Sequence, residues 1–498
     1  MPLDADACYR ALATRDRRFD GRFFTGVRTT GIYCRPICPA PTPRRRNCVF
    51  LPCAAAAEAA GFRPCLRCRP EASPGTPAWL GTSATVSRAL RLIGDGALDD
   101  GGVPALAARL GIGERHLRRL FLSHLGATPH AVAHTRRVLF ARRLLDETRL
   151  PIAQVALASG FASVRRFNEA MRGAFRSTPS ALRRRRGRAG AAPDLALRLA
   201  YRPPLPWTTL LAFFAARAIP GVEEVVGDAY RRSFEVEGVQ GIVTVRPIAG
   251  HDQLQARIQV AEPVALIRIA ERLRQLFDLG ADPGVIEARL RGDRRLAARL
   301  DAFAGVRVPG AFDGFELAVR AVLGQQVSVA AATQLAGRLA REYGAPLRAE
   351  PGPGSTLGRI FPGPRALRAV DARLAGLPRA RAATISALAQ AVERGELALD
   401  GSRDLDTSVR ELARLPGIGE WTAQVVAMRA LREPDAFPAG DLGLRRALGA
   451  AGRPATPAQL VAAAERWRPW RAYAAALLWM APTAPRQRPA APRERAVA

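Results

Sequence analysis

The chain has 498 residues, with 75 basic side chains against 44 acidic ones and a formal net charge of +31. The length exceeds one ordinary core and implies about two to four domains. The charge points to a polyanionic partner, and every one of the 75 basic residues is arginine, which excludes lysine Schiff-base chemistry.

All seven cysteines lie within residues 1–75. Residues 70–77, rich in Pro, Ser and Gly, read as a linker. Residues 80–182 alternate helical patterns with glycine turns. The run Arg183-Arg184-Arg185-Arg186 opens a basic linker over 183–193, which reads as either solvated or phosphate-binding and suggests loosely coupled halves. Residues 194–300 mix strand signals at 241–247 and 254–260 with helical ones at 208–219 and 263–277. Residues 301–481 are mostly helical. The tail, 482–498, lacks a core-forming pattern and is expected to be disordered. The fold class is therefore multidomain, mainly α with α+β parts. No apolar run is long enough for a membrane span and no secretory leader is evident.

Four cysteines form a C-x3-C and a C-x2-C pair: Cys34, Cys38, Cys65 and Cys68. Four thiolates satisfy one tetrahedral Zn2+, and paired short spacings bring two ligands from each of two turns. A structural zinc knot is the plain reading. The excess negative charge of such a cluster also leaves a sulfur able to attack an electrophilic methyl group. Cys8, Cys48 and Cys53 fall outside the pattern and read as small buried residues.

The surrounding stretch is Asp20-Gly21-Arg22-Phe23-Phe24, then Thr29-Thr30-Gly31-Ile32-Tyr33-Cys34-Arg35-Pro36-Ile37-Cys38-Pro39. With Asn47 and Gly61-Phe62-Arg63-Pro64-Cys65-Leu66-Arg67-Cys68, it resembles the N-terminal domain of the Ada adaptive-response family. The resemblance implies stoichiometric methyl transfer from a DNA methyl phosphotriester to Cys34, with Cys38, Cys65 and Cys68 completing the zinc site. The family's alkylguanine methyltransferase centre is missing, since no cysteine follows Cys68.

Two helix-turn-helix units are predicted, at 103–121 and 152–171, each with a glycine turn. Together with Ala158-Ser159-Gly160-Phe161 and the closing Phe175-Arg176-Ser177-Thr178-Pro179, they resemble the AraC-type DNA-binding domain. Arg118, Arg119, Arg165 and Arg166 are its candidate DNA contacts, with solvated helix arginines as the alternative. His116, His124, His130 and His134 lack metal spacing.

Leu415-Pro416-Gly417-Ile418-Gly419 joins two helical patterns. Glycine permits the tight turn, and the backbone N–H groups of Gly417, Ile418 and Gly419 suit a DNA phosphate. Twenty residues past Trp421 stands Asp441, in Pro438-Ala439-Gly440-Asp441. Ala215-Ala216-Arg217-Ala218-Ile219, Gly241-Ile242-Val243-Thr244, Leu323-Gly324-Gln325-Gln326-Val327-Ser328-Val329 and Glu465-Arg466-Trp467-Arg468-Pro469-Trp470 extend the match. Residues 194–481 thus resemble the AlkA-type 3-methyladenine DNA glycosylases of the helix-hairpin-helix superfamily.

That resemblance implies a TBP-like α+β subdomain followed by an all-α helix-hairpin-helix domain. Asp441 takes the place of the catalytic aspartate, and Phe213, Trp421 and Trp479 the places of the base-pocket walls. Gln326 stands at the wedge, where the best-known relative has leucine, and Val425 replaces a pocket tyrosine. Trp467, Trp470 and Tyr473 read as core, and Asp404 and Asp435 as helix-end or loop carboxylates. The expected activity is excision of alkylated purines by a monofunctional glycosylase, leaving an abasic site, alongside the methyl acceptor. The expected partners are double-stranded damaged and promoter DNA and RNA polymerase, with no membrane, for a monomer in the bacterial cytoplasm and nucleoid. A methylation-responsive activator whose glycosylase half only binds DNA is the alternative.

Overall fold

The computed structural model describes residues 4–76, 84–99, 101–185, 195–449 and 453–480. The disordered-tail expectation and most of the basic linker lie outside them. Among the described residues the chain is mostly helical, with two antiparallel-rich sheets.

The first sheet has four strands: β1 (Phe24–Val27), β2 (Ile32–Cys34), β3 (Cys48–Leu51) and β4 (Arg63–Pro64), in the order β3-β1-β2-β4. β1 and β2 form a hairpin around Gly31, whose φ of 63° suits glycine. β4 runs parallel to β2, pairing Ile32 with Arg63 and Tyr33 with Pro64. Helix Ala54–Ala59 packs behind it, with Phe24, Tyr33 and Ala57 buried between.

The second region is helical. Val103–Arg109 with Glu114–Leu125, and Ile152–Ala158 with Val164–Phe175, form the two predicted helix-turn-helix pairs. Gly111 and Gly160 sit in the turns at φ values of 70° and 78°. Leu117, Phe121 and Leu125 bury one face of the first recognition helix, and Phe167, Met171 and Phe175 do so for the second. The long helix Pro129–Glu147 joins the pairs.

The second sheet contains β5 (Ala196–Ala200), β6 (Glu223–Val226), β7 (Ala229–Val236), β8 (Val239–Pro247) and β9 (Gln253–Val260), ordered β5-β9-β8-β7-β6 and wholly antiparallel. Alternation along β7 and β8 turns Tyr230, Phe234, Val243 and Val245 inward. They meet helices Trp207–Ala215 and Leu266–Leu276. Helices Pro283–Leu290 and Arg294–Ala302 pack instead with Trp467, Tyr473 and helix Arg471–Met480. The predicted helix at 208–219 stops at Ala215, before the turn at Pro220-Gly221.

Two sequence expectations are corrected. Residues 70–76 are no loose linker: Pro70–Ala72 forms a 3-10 turn, and Pro70, Glu71 and Ser73 are buried. The halves are also in contact rather than loosely coupled. Arg91 pairs with Glu433 at 2.5 Å and donates to the Arg432 carbonyl at 2.6 Å, with both acid and base side chains buried. Arg22 pairs with Asp282, Arg432 reaches Asp95 at 2.8 Å, and Arg202 donates to the Gly75 carbonyl. An apolar cluster runs from Leu144, Phe161 and Phe167 into the sheet through Leu197 and Leu199. A basic, polar connecting segment says nothing about burial elsewhere, so neither contact was visible in the linker itself.

Candidate active site and metal centre

The parallel pairing of β4 with β2 brings the two cysteine pairs to one end of the small sheet. Cys34 closes β2, and the Cys65 N–H donates to the Tyr33 carbonyl at 3.0 Å. The Sγ atoms of Cys34, Cys38, Cys65 and Cys68 lie within 4.8 Å of one another. Tetrahedral Zn–S bonds of about 2.3 Å require S···S separations of about 3.8 Å, so the donor set fits Zn2+. No other group of three or more potential ligands occurs among the described residues. Cys38, Cys65 and Cys68 are buried, and Cys34 is half-buried.

Arg35 organises the cluster's rim. Its backbone N–H donates to Cys68 Sγ at 3.3 Å, its Nη1 donates to the Cys68 carbonyl at 3.0 Å, and its guanidinium pairs with buried Asp20. A cavity of about 470 Å³ opens beside Cys34, lined among others by Thr29, Ile32, Pro43, Pro64 and Phe175. Phe175 belongs to the second recognition helix, so the regulator region supplies part of that wall. Burial pushes the thiols of Cys8 and Cys53 up to about 11 and raises that of Cys48, as suits inert core residues.

In the C-terminal half, helix Leu405–Ala413 leads into the hairpin and helix Glu420–Arg429 leaves it. Ile418 is buried and anchors the loop, while Gly417 and Gly419 on either side are exposed. Gly417 has a φ of 83°, and a Cβ there would collide with Thr384. Gly419 caps the second helix with no side-chain acceptor on its first N–H groups. With Gly419 itself exposed, those donors are available to an anion.

Asp441 caps helix Leu442–Ala447. Its Oδ1 accepts from the Leu444 N–H at 3.0 Å and from Trp479 Nε1 at 3.0 Å. Its Oδ2 accepts from Trp421 Nε1 at 3.2 Å. Two indoles and a helix N-terminus therefore fix one half-buried carboxylate. A Cβ at Gly443 would press on Asp441 Oδ1 at 2.9 Å, so glycine there leaves room for the carboxylate.

Phe213 is half-buried, with the guanidiniums of Arg217 and Arg429 at 3.8 and 5.0 Å from its ring centroid. Val425 is buried between the levels of Trp421 and Arg429 on helix Glu420–Arg429. Gln326 is exposed in the loop before helix Val329–Tyr343 and has a φ of 58°, a conformation side chains rarely adopt.

The remaining predicted residues divide clearly. Arg118, Arg119, Arg165 and Arg166 are all exposed on the two recognition helices. Arg165 pairs with Glu169 at 3.1 Å, and Arg119 meets His116 at 2.9 Å. Trp467, Trp470 and Tyr473 are buried core. Asp404 caps helix Leu405–Ala413, and Asp435 pairs with Arg468 and Arg471.

Sequence reasoning missed Gln325. Its Nε2 donates to the Gly417 carbonyl at 2.8 Å and to Thr422 Oγ1 at 2.9 Å, tying the Gln326 loop to the hairpin. It also missed the cluster of Arg217, Arg320 and Arg429. In an arginine-rich chain, three arginines some hundred residues apart carry no signal of their own.

Family comparisons agree with this layout. "Metal binding domain of Ada" matches residues 7–71, a helix-turn-helix domain matches 106–185, "AlkA N-terminal domain" matches 196–313, and the "HhH-GPD superfamily base excision DNA repair protein" family matches 319–472. A "Probable bifunctional transcriptional activator/DNA repair enzyme AlkA" from Mycobacterium tuberculosis is 44% identical over 484 residues, covering 96% of this chain and 97% of that one. The chain belongs to this bifunctional AlkA family. "DNA-3-methyladenine glycosylase 2" of Escherichia coli is 37% identical over 285 residues, 56% of this chain and 95% of its own. The Escherichia coli "Bifunctional transcriptional activator/DNA repair enzyme Ada" is 39% identical over 144 residues, 29% of this chain and 38% of its own.

Family membership makes this a bifunctional DNA-alkylation repair and adaptive-response protein, with an Ada-type four-cysteine zinc site. The expectation of a monofunctional glycosylase is thereby corrected. It rested on the lack of lysine, which bears on one kind of strand cleavage, whereas the full-length relative joins repair to transcriptional activation and the Ada metal-binding domain is present beside the glycosylase domain. No helix among the described residues is long and apolar enough to cross a membrane.

Proposed function

We propose that Asp441 drives hydrolytic excision of alkylated purines of the 3-methyladenine and 7-methylguanine type, and that Cys34 accepts methyl groups from DNA methyl phosphotriesters. The observation that carries the first activity is the Asp441 carboxylate held by Trp421 and Trp479, beside an open hairpin. The hairpin N–H groups of Gly417 and Gly419 hold a backbone phosphate; the Ile418 N–H, expected to join them, instead donates to the Leu415 carbonyl at 3.1 Å and closes the turn. Gln326 fills the gap left by the flipped nucleotide. Phe213, Trp421 and Trp479 wall the extruded base. As the C1′–N bond breaks, its electron pair neutralises the cationic base and positive charge grows on the sugar. Asp441 stabilises that charge and orients water toward C1′, leaving an abasic site.

At the sensor, the Cys34 thiolate attacks the methyl carbon, the C–O bond breaks, and the phosphodiester regains its negative charge. Zn2+ bound by Cys34, Cys38, Cys65 and Cys68 would keep the thiolates deprotonated near neutral pH. Loss of thiolate charge then weakens repulsion of DNA and favours promoter binding through Arg118, Arg119, Arg165 and Arg166.

We assign residues 1–75 to the acceptor, 80–182 to the AraC-type regulator, 194–300 to a TBP-like α+β subdomain and 301–481 to the glycosylase core. The protein acts as a monomer in the cytoplasm at the nucleoid, with RNA polymerase as its regulatory partner. Duplex DNA carrying radiolabelled methyl groups tests both activities together. The reading requires free methylpurine in solution and label on the protein that disappears in Cys34→Ser. Label retained by that variant would assign the acceptor elsewhere.

A further inference from the structure

Three arginines gather around the far end of the proposed base pocket. The Arg217 guanidinium carbon stands 3.8 Å from the Phe213 ring centroid, and its Nη1 donates to the Phe213 carbonyl at 3.3 Å. Arg429 stands 5.0 Å from the same centroid, and its Nε donates to the Pro309 carbonyl at 2.8 Å. Arg320 donates to the Arg217 carbonyl at 2.5 Å and pairs with Glu223 at 2.8 Å. Glu223 also pairs with Arg232 and accepts from Tyr230, so its charge is engaged on the side of Arg320.

Trp421, Val425 and Arg429 are spaced four residues apart on helix Glu420–Arg429 and share one face. That face connects the Asp441 end of the site, where Trp421 is bonded, to the Phe213 end, where Arg429 lies. Burial lowers Arg217 to about 10 and Arg429 to about 9, with Arg320 adding to both, and the Asp441 charge pulls Arg217 the other way. Arg217 is thus a cation at neutral pH, within electrostatic reach of the Asp441 carboxylate and stacked on an aromatic wall.

A guanidinium has five N–H donors and no acceptor. Nη1 is engaged by the Phe213 carbonyl, so Nε and Nη2 are the donors left for the edge of a base held against Phe213. A purine with a carbonyl at its six-position offers them an acceptor, whereas one with an amino group there offers a competing donor. We propose that Arg217 is a specificity-determining residue that donates to the six-carbonyl of the flipped base and so favours guanine-type over adenine-type lesions. This rests on the reading of Phe213, Trp421 and Trp479 as the base walls.

The matched probes are duplexes bearing 7-methylguanine or 7-methyladenine, which share the methyl position and the cationic ring. For Arg217→Met, kcat/KM for 7-methylguanine should fall about 10-fold or more, the scale of one lost charge-assisted hydrogen bond. Release of 7-methyladenine should hold or rise, and Arg217→Lys should restore part of the difference. An equal fall for both bases in the Met variant, with no recovery of the ratio in the Lys variant, makes Arg217 a packing residue and overturns the proposal. An unchanged ratio overturns it as well. Asp441→Asn and Trp421→Ala are run in parallel: if wild type releases neither base, or those variants leave release intact, the pocket reading itself fails.

Discussion

Gly417→Ala isolates the hairpin. The residue has a φ of 83°, and an added Cβ would collide with Thr384 Oγ1 and lie 3.2 Å from Thr384 Cβ and Cγ2. The left-handed backbone alone costs a non-glycine residue about 1–2 kcal/mol. Thr384 is buried and donates to the Ala380 carbonyl at 3.0 Å within helix Arg379–Glu393, so it has little freedom to withdraw. Overpacking of this kind adds about 1–3 kcal/mol, for a total of about 2–5 kcal/mol. Urea unfolding measures that loss. A hairpin that relieves it by distorting also misplaces its N–H donors, so affinity for undamaged duplex falls. The salt dependence of binding should flatten by about 0.9 in log–log slope if one phosphate contact is lost. Thr384→Ala on the Gly417→Ala background should recover the steric part and leave the backbone part. Wild-type stability together with wild-type duplex affinity in Gly417→Ala would refute the geometric argument.

Arg91→Met leaves Glu433 buried without its partner and should cost about 3–5 kcal/mol; calorimetry should show the halves melting apart in separate transitions, and an unaltered single transition would contradict the contact. Metal analysis should find about one zinc per chain, lost in Cys68→Ser together with the fold of the first sheet, as four-thiolate sites require. Burial, opposed by Arg307 and by hydrogen bonds from Val308 and Tyr473, raises the Asp278 carboxyl from 3.8 to about 6. A raised carboxyl contributes stability below its unfolded pKa that is lost as pH rises through the folded one. Asp278→Asn should therefore gain on wild type between about pH 4 and 6 in thermal midpoint, and a pH-independent difference would count against this.

The elements with local signals were legible in the sequence. Both helix-turn-helix pairs declare themselves through apolar spacing and the glycines at 111 and 160. The hairpin does so through Gly417 and Gly419, and the metal site through two short cysteine spacings. Asp441 was legible as a position, though its clamp between two indole N–H groups was not, because side-chain hydrogen bonds across 20 and 38 residues leave no periodic trace. The contact between halves was hidden for the same reason. Arg91 and Glu433 are ordinary surface types that become buried only when helix Ala84–Gly94 meets the loop after helix Glu420–Arg429. Residues 70–76 misled through composition: Pro, Ser and Gly mark a break in helix and strand, but these residues turn against Gly21 and Arg202 instead of spanning solvent.

The central claim is that one carboxylate, fixed by Trp421 and Trp479, performs excision in a chain that also carries the methyl sensor. Base release from duplex DNA containing methylated purines, compared between wild type and Asp441→Asn, tests it most directly. Asparagine keeps the shape and the cap but removes the charge proposed to stabilise the sugar cation. The account predicts release by wild type, a fall of at least about a hundredfold in the variant, the scale of one electrostatic contact in a transition state, and retained DNA binding. Undiminished release by Asp441→Asn, or none by folded wild type on any alkylated purine, would contradict it and leave a sensor-regulator whose C-terminal half only binds DNA.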